Sequence, residues 1–166
     1  MTVLFFITSI VVAIAAGMAV FQRNAIHALL YLIVSFIGTG FIFFLLGAPF
    51  AAVLEVIIYA GAIMVLFVFV VMMFNVKAMW SEEKDIFRTS AFIGPVALAC
   101  ILVFEIVYIL WPGPKEIYPL IMVGPKAVSA SLFGPYALAV ELASMVLLAG
   151  LVGAYHLAHR IGRTHE

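Results

Sequence analysis

Three carboxylates stand inside long apolar stretches of the sequence: Glu55, Glu105 and Glu141. An ionisable group is expensive to place in hydrocarbon, so each is a first candidate for chemistry. Together they could form a protonatable cluster lining a hydrated path. Alternatively, each is an anchor that hydrogen-bonds a neighbouring helix or subunit. For Glu105, six residues before Trp111, the anchor role is favoured, whereas both readings stay open for Glu55 and Glu141. Glu55 precedes Tyr59 by one helical turn, and α-helical spacing stacks the pair on one face with Ala62, Ile63 and Leu66. Ala60, Gly61 and Ala62 remove side-chain bulk directly after the tyrosine. Such a triplet serves simple close packing, or it makes a change of register or a π-bulge cheap.

The histidines offer rival chemistry. His27 together with His156 or His159 would be a possible ligand pair for a b-type haem. Against that, His27 follows Asn24 in a helix-start pattern and reads as an interfacial residue, while His156 and His159 belong to a basic tail with Arg160 and Arg163. Cys100 is the one cysteine and sits in an apolar run, so a small buried packing residue is expected there. No GxGxxG, P-loop, HExxH or GxSxG motif and no metal-spaced Cys/His cluster occurs in the sequence. The expectation is a chain with no catalytic, cofactor or metal site of its own.

The elements that must carry these residues follow from composition. Hydrophobic residues make up 67% of the 166 and charged residues only 10%, with a mean hydropathy of +1.32, which excludes a water-soluble fold. Five apolar runs, Val3 to Phe21, Ala25 to Leu46, Ala51 to Phe74, Ala91 to Trp111 and Leu132 to Tyr155, are each long enough to cross a bilayer. Backbone groups in lipid must be satisfied within a helix or a closed barrel, and these runs lack the alternation of barrel strands. The sequence therefore specifies an all-α integral membrane protein of five transmembrane helices, one membrane domain over 1–166. The first basic residue is Arg23, so the first run has no charged leader and is expected to stay as a helix rather than be removed as a signal peptide. A formal net charge of zero gives no field to recruit nucleic acid.

Basic residues set the orientation. Arg23, Lys77, Lys84, Arg88, Arg160 and Arg163 fall on one side, Lys115 and Lys126 on the other, which makes the first side cytoplasmic. Five spans then put the N-terminus outside and the C-terminus in the cytoplasm, with all three carboxylates nearer the outer ends of their helices, where they could converge in one layer. Gly47 to Phe50 reads as a tight external turn. Residues 76–90 read as a charged cytoplasmic loop containing Glu82, Glu83, Lys84 and Asp85. Residues 112–131 hold Pro112, Pro114, Pro119 and Pro125, which predicts an extended external segment.

The stretch EVIIYAGAIMVLFVFVVMM, Glu55 to Met73, resembles the third helix of the J-subunit family of the proton-pumping NADH:quinone oxidoreductases, bacterial complex I. NAIHALLYLIVS, Asn24 to Ser35, and LFGPYALAVELASMVLLAGLVGAYH, Leu132 to His156, resemble the same family in the same order. A departure is Ala25, where relatives commonly have proline, although Asn24 can still cap the helix. The resemblance implies a non-catalytic subunit of the respiratory membrane arm in the bacterial cytoplasmic membrane. Its neighbours would be a small K-type subunit, the quinone-site subunit and antiporter-like subunits. FMN, iron–sulfur clusters and quinone would be held by other subunits. It further implies a third helix able to carry a π-bulge around Tyr59 to Val65, whose rotation gates a water wire. Tyr59, Gly61 and Val65 take that role, with Phe69 as a further apolar plug. Two alternatives remain: the matching subunit of a related complex fed by another electron donor, and a stand-alone proton-coupled transporter using Glu55 and Glu141.

Overall fold

The computed structural model describes residues 2–22, 24–74, 89–111 and 122–162. Every regular element among them is helical: α1 (Thr2–Phe21), α2 (Ala25–Leu45), α3 (Pro49–Glu55), a π-helix (Val56–Ile63), α4 (Met64–Phe74), α5 (Thr89–Leu110), α6 (Pro125–Leu132) and α7 (Ala137–Gly162). Arg23, the charged stretch with Lys77, Glu82, Glu83, Lys84, Asp85 and Arg88, the link residues Pro112, Pro114, Lys115 and Pro119, and Arg163 lie outside the described residues. Five helices are long and apolar enough to cross a membrane: Thr2–Phe21, Ala25–Leu45, Pro49–Met73, Phe92–Leu110 and Ala137–His159. Contacts divide the chain into two compact units, Met1–Met122 and Val123–Glu166.

Within the first unit α2 is the hub, touching α1, α3, the π-helix, α4 and α5. It is accordingly the most buried span, at 39% against 17% for α1. Its start is fixed locally: Asn24 stays extended and its Oδ1 accepts the backbone N–H of Ile26 at 2.9 Å. With that bond removed, Asn24→Ala is expected to lower stability by about 1 kcal/mol in a detergent-denaturation titration. The end of α2 is equally local. Gly47 adopts φ 83°, the Gly47 N–H donates to Phe44 O and the Ala48 N–H to Phe43 O, which closes a Schellman motif. Pro49 then opens α3, where a missing N–H costs nothing.

The core joins α1, α2 and α5 through Val11, Ala15, Val34 and Leu102, with Ile37, Leu98 and Ala99 packed around them. Two glycines set the helix separations. A Cβ on Gly38 would lie 2.5 Å from Val12 Cγ2, and Gly94 leaves room for the Tyr31 hydroxyl against α5. These notches are what let backbones approach in a membrane, where burying apolar surface gives little driving force between helices.

In the second unit the structure corrects two expectations. Residues 125–132 form helix α6 rather than extended chain, because Pro125 occupies the first turn, where its lack of an N–H is harmless. The fifth span begins at Ala137 rather than Leu132. Pro135 interrupts the run, and the Ser131 carbonyl accepts instead from the Gly134 and Tyr136 N–H groups. From there α7 continues to Gly162, past the expected end at Tyr155.

Candidate functional site

The third span changes its winding in the middle. α3 ends at Glu55, the π-helix runs through Val56–Ile63, and α-helix resumes at Met64, whose N–H reaches both Gly61 O and Tyr59 O. Eight residues of π-helix are uncommon, and such segments collect at functional sites. The local reason lies in the small triplet. Around Gly61 the widened turn brings the Val56 carbonyl to within 3.3 Å of where a Cβ would stand. A side chain there would press on the backbone oxygen that the π winding displaces. The segment contains Tyr59 and Gly61 and starts one residue after Glu55, whereas Val65 and Phe69 lie beyond it on α4. It therefore sits earlier than the 59–65 stretch implied by the resemblance. Its i→i+5 spacing also breaks the α-helical face expected to run from Glu55 through Tyr59 to Leu66.

Helix α2 positions this segment at two levels. At Gly40 a Cβ would meet Val56 Cγ2 at 3.1 Å and the Ala52 carbonyl at 3.2 Å, so the glycine admits the junction between α3 and the π-helix against α2. At Phe36 the ring lies 5.3 Å from the Tyr59 ring with an interplanar angle of 43°. Such a pair contributes about 0.5–1.5 kcal/mol beyond area burial. Tyr59→Phe preserves this contact and is expected to leave the denaturation midpoint unchanged, while Phe36→Ala lowers stability by about 1 kcal/mol or more in the same titration. Beside the junction lies an apolar groove of about 420 Å³ lined by Gly40, Phe41, Ala52, Val56, Ile57 and Ile106. Val65 and Phe69 are exposed on α4, 51% and 66%, available to the bilayer or to other chains rather than committed to this core.

Each of the three carboxylates has its own surroundings. Glu105 is only 3% exposed, and its Oε2 lies 2.9 Å from the Thr8 hydroxyl on α1. Ile106, Ile109 and Leu110 of α5 line the apolar groove beside the third span. Glu105 thus accepts a hydrogen bond from a neighbouring helix of the same unit. Glu55 is half-buried at the end of α3. Glu141 is exposed on α7, in the second unit, where its backbone carbonyl accepts from Ser144 Oγ at 2.7 Å.

His27 is buried, with its ring edge-on to Phe92 at 5.0 Å. His159 stacks on Tyr155 at 6.0 Å in α7. Cys100 is exposed rather than buried. It lies on an outward face of α5, and a thiol is apolar enough to face lipid. Thr8, Phe36 and Gly40 were not singled out from the sequence. For Thr8 a signal existed: it lies about as far into α1 as Glu105 lies from the end of α5, which matches their depths in antiparallel helices. Phe36 and Gly40 carry no comparable mark.

The model of the family described as NADH-ubiquinone/plastoquinone oxidoreductase chain 6 matches residues 15–157. The chain belongs to that family. Among the chain 6 family's relatives, NADH-quinone oxidoreductase subunit J of Pseudomonas aeruginosa is 50% identical over 155 residues, which cover 88% of this chain and 93% of the relative. The subunit J of Escherichia coli K12 is 47% identical over 154 residues, 92% of this chain and 84% of the relative. That of Buchnera aphidicola subsp. Schizaphis graminum is 43% identical over 159 residues, 95% of this chain and 97% of the relative. The chain 6 match thus extends well beyond the three stretches that carry the resemblance in the sequence, and it contains the whole π-wound span.

Proposed function

We propose that this chain is the J subunit of a respiratory NADH–quinone oxidoreductase and that its third span gates proton translocation coupled to quinone reduction. The observation that carries the gating reading is the π-helix Val56–Ile63 inside a membrane span. Returning such a segment to regular α winding removes a bulge of about one residue and turns everything after it by about 100°, with a shift of about 1.5 Å along the axis. Val65 and Phe69 lie on the part that turns. In the π-wound state water enters between this chain and its neighbours, and in the regular state these apolar side chains cross the path and break it. The small side chains at 60–62 keep the two windings close in energy, which a two-state device requires.

In this reading the chain binds no FMN, iron–sulfur cluster or quinone and performs no electron transfer, which belong to other subunits. It contributes a wall of the membrane arm in the bacterial cytoplasmic membrane, N-terminus outside and C-terminus cytoplasmic. Its neighbours are a K-type subunit, the quinone-site subunit and antiporter-like subunits. The names and high coverage of its relatives support the assignment to the complex. The test of the complex is co-purification: a tagged full-length chain is expected to bring a flavin- and iron–sulfur-containing assembly with it. Recovery as a stable small homo-oligomer would overturn the assignment. The test of gating is substitution at Gly61.

A further inference from the structure

Glu105 leaves one hydrogen-bonding position unfilled. Its Oε2 accepts from the Thr8 hydroxyl at 2.9 Å, while its Oε1 is buried and has no partner among the described residues. Both residues stand inside apolar spans, Thr2–Phe21 and Phe92–Leu110, where hydrocarbon offers a polar atom nothing to bond. Beside them a cavity of about 530 Å³ lies between α1 and α5, walled by Val3, Leu4 and Ile7 from one helix and by Ile101, Phe104 and Glu105 itself from the other. Tyr108 completes the lining without bonding Oε1. Val3 and Phe104 are 70% and 71% exposed, so the cavity opens sideways from the helix pair. A single water, whose share of liquid volume is roughly 30 Å³, fills little of it, and walls so largely apolar give a water few of the about two to four polar partners it needs. The space has the size and lining for packed side chains, with one polar point at its floor.

We propose that the α1–α5 cavity receives a membrane helix of a neighbouring subunit, which places a hydroxyl or carboxamide side chain on Glu105 Oε1. Either group both donates and accepts, so it serves this oxygen whatever the proton count of the carboxyl. Such side chains are also the ones that bond across helices in membranes. The apolar walls supply close packing, and the bond to Oε1 fixes the register of the incoming helix. The Thr8 contact holds the carboxyl in place for it, because Thr8 is fully buried and its hydroxyl is also within 2.8 Å of Leu4 O. The proposal rests on the reading of this chain as a subunit of a larger membrane assembly and is independent of the gating reading.

The test uses the tagged full-length chain in its purified assembly, with the photo-crosslinker benzoylphenylalanine in place of Phe104. Irradiation is expected to join position 104 to another subunit. An adduct with lipid alone, or with residues 123–166 of this same chain, would overturn the proposal. Failure of the chain to bring a flavin- and iron–sulfur-containing assembly is a different result, since it ends the subunit reading and the proposal with it. The bond itself is read from release of the chain in rising detergent. Glu105→Leu is expected to raise the ratio of released to assembled chain roughly 3- to 18-fold, the span that one interhelical hydrogen bond in a membrane supports. Glu105→Gln is expected to restore retention, because its amide both gives and accepts. Thr8→Val removes only the internal bond and is expected to release close to the wild-type amount. Equal release from Thr8→Val and Glu105→Leu would show that the α1–α5 contact alone matters and would overturn the proposal. Should Glu105→Leu fail to accumulate, the crosslink from position 104 decides.

Discussion

Gly61→Leu is expected to cut quinone-coupled proton translocation at least roughly fivefold while the chain still enters its complex, because its Cβ presses on the Val56 carbonyl in the π-wound turn. A Cβ at 61 stands 3.3 Å from the Val56 carbonyl, tighter than ordinary van der Waals contact, and that carbonyl belongs to the π-wound turn itself. Inserting bulk into a packed site typically costs about 1–3 kcal/mol. In a two-state element, that amount changes a population ratio by roughly 5- to 150-fold. Alanine needs the carbonyl to give by only a few tenths of an ångström, so its effect is expected to be the smallest, with Val intermediate and Leu largest. The measurement is NADH:quinone turnover together with proton movement in proteoliposomes, normalised to the chain incorporated. Wild-type turnover and pumping in a fully incorporated Gly61→Leu complex would end the gating proposal. Poor incorporation is controlled by the graded series, since Gly61→Ala should fold.

The second large effect is on stability. Gly38→Leu is expected to destabilise the first unit by about 3 kcal/mol, at the upper end of overpacking costs. A Cβ at 38 meets Val12 Cγ2 at 2.5 Å and Leu102 Cδ1 at 3.6 Å, so α1, α2 and α5 are all in contact with the new side chain. These are the helices that contribute the core residues Val11, Val34 and Leu102. A denaturation titration of the purified chain reads the loss directly. Val12→Ala in the same molecule should restore a substantial part of it by vacating the space the Leu needs, a coupling between contacting sites that independent positions do not show. Additive effects of the two changes would mean that the close approach at Gly38 does not set the α1–α2 separation.

Much of this molecule follows from short-range chemistry. The five spans are legible because hydrocarbon allows a lone backbone no alternative to helix, so apolar length alone decides them. The Asn24 cap and the turn through Gly47 are equally local, since each satisfies backbone groups from within a few residues. The same locality misled at Pro125. Proline excludes a helix interior but suits a first turn, and which of these applies depends on where the helix starts. Likewise Cys100 could not be assigned a side of α5, because a helix apolar all round carries no signal of which face meets protein.

By itself the sequence determined the class of the protein, its five spans, and the third span with small residues after Tyr59, because hydropathy and backbone satisfaction act residue by residue. Only the tertiary structure decided that the bulge occupies Val56–Ile63, that Phe36 and Gly40 of α2 hold it, and that Glu105 meets Thr8 instead of Glu55. In hydrocarbon every apolar face is equally at home facing lipid. The choice of which faces meet therefore falls to close packing and to single hydrogen bonds between residues far apart in the chain.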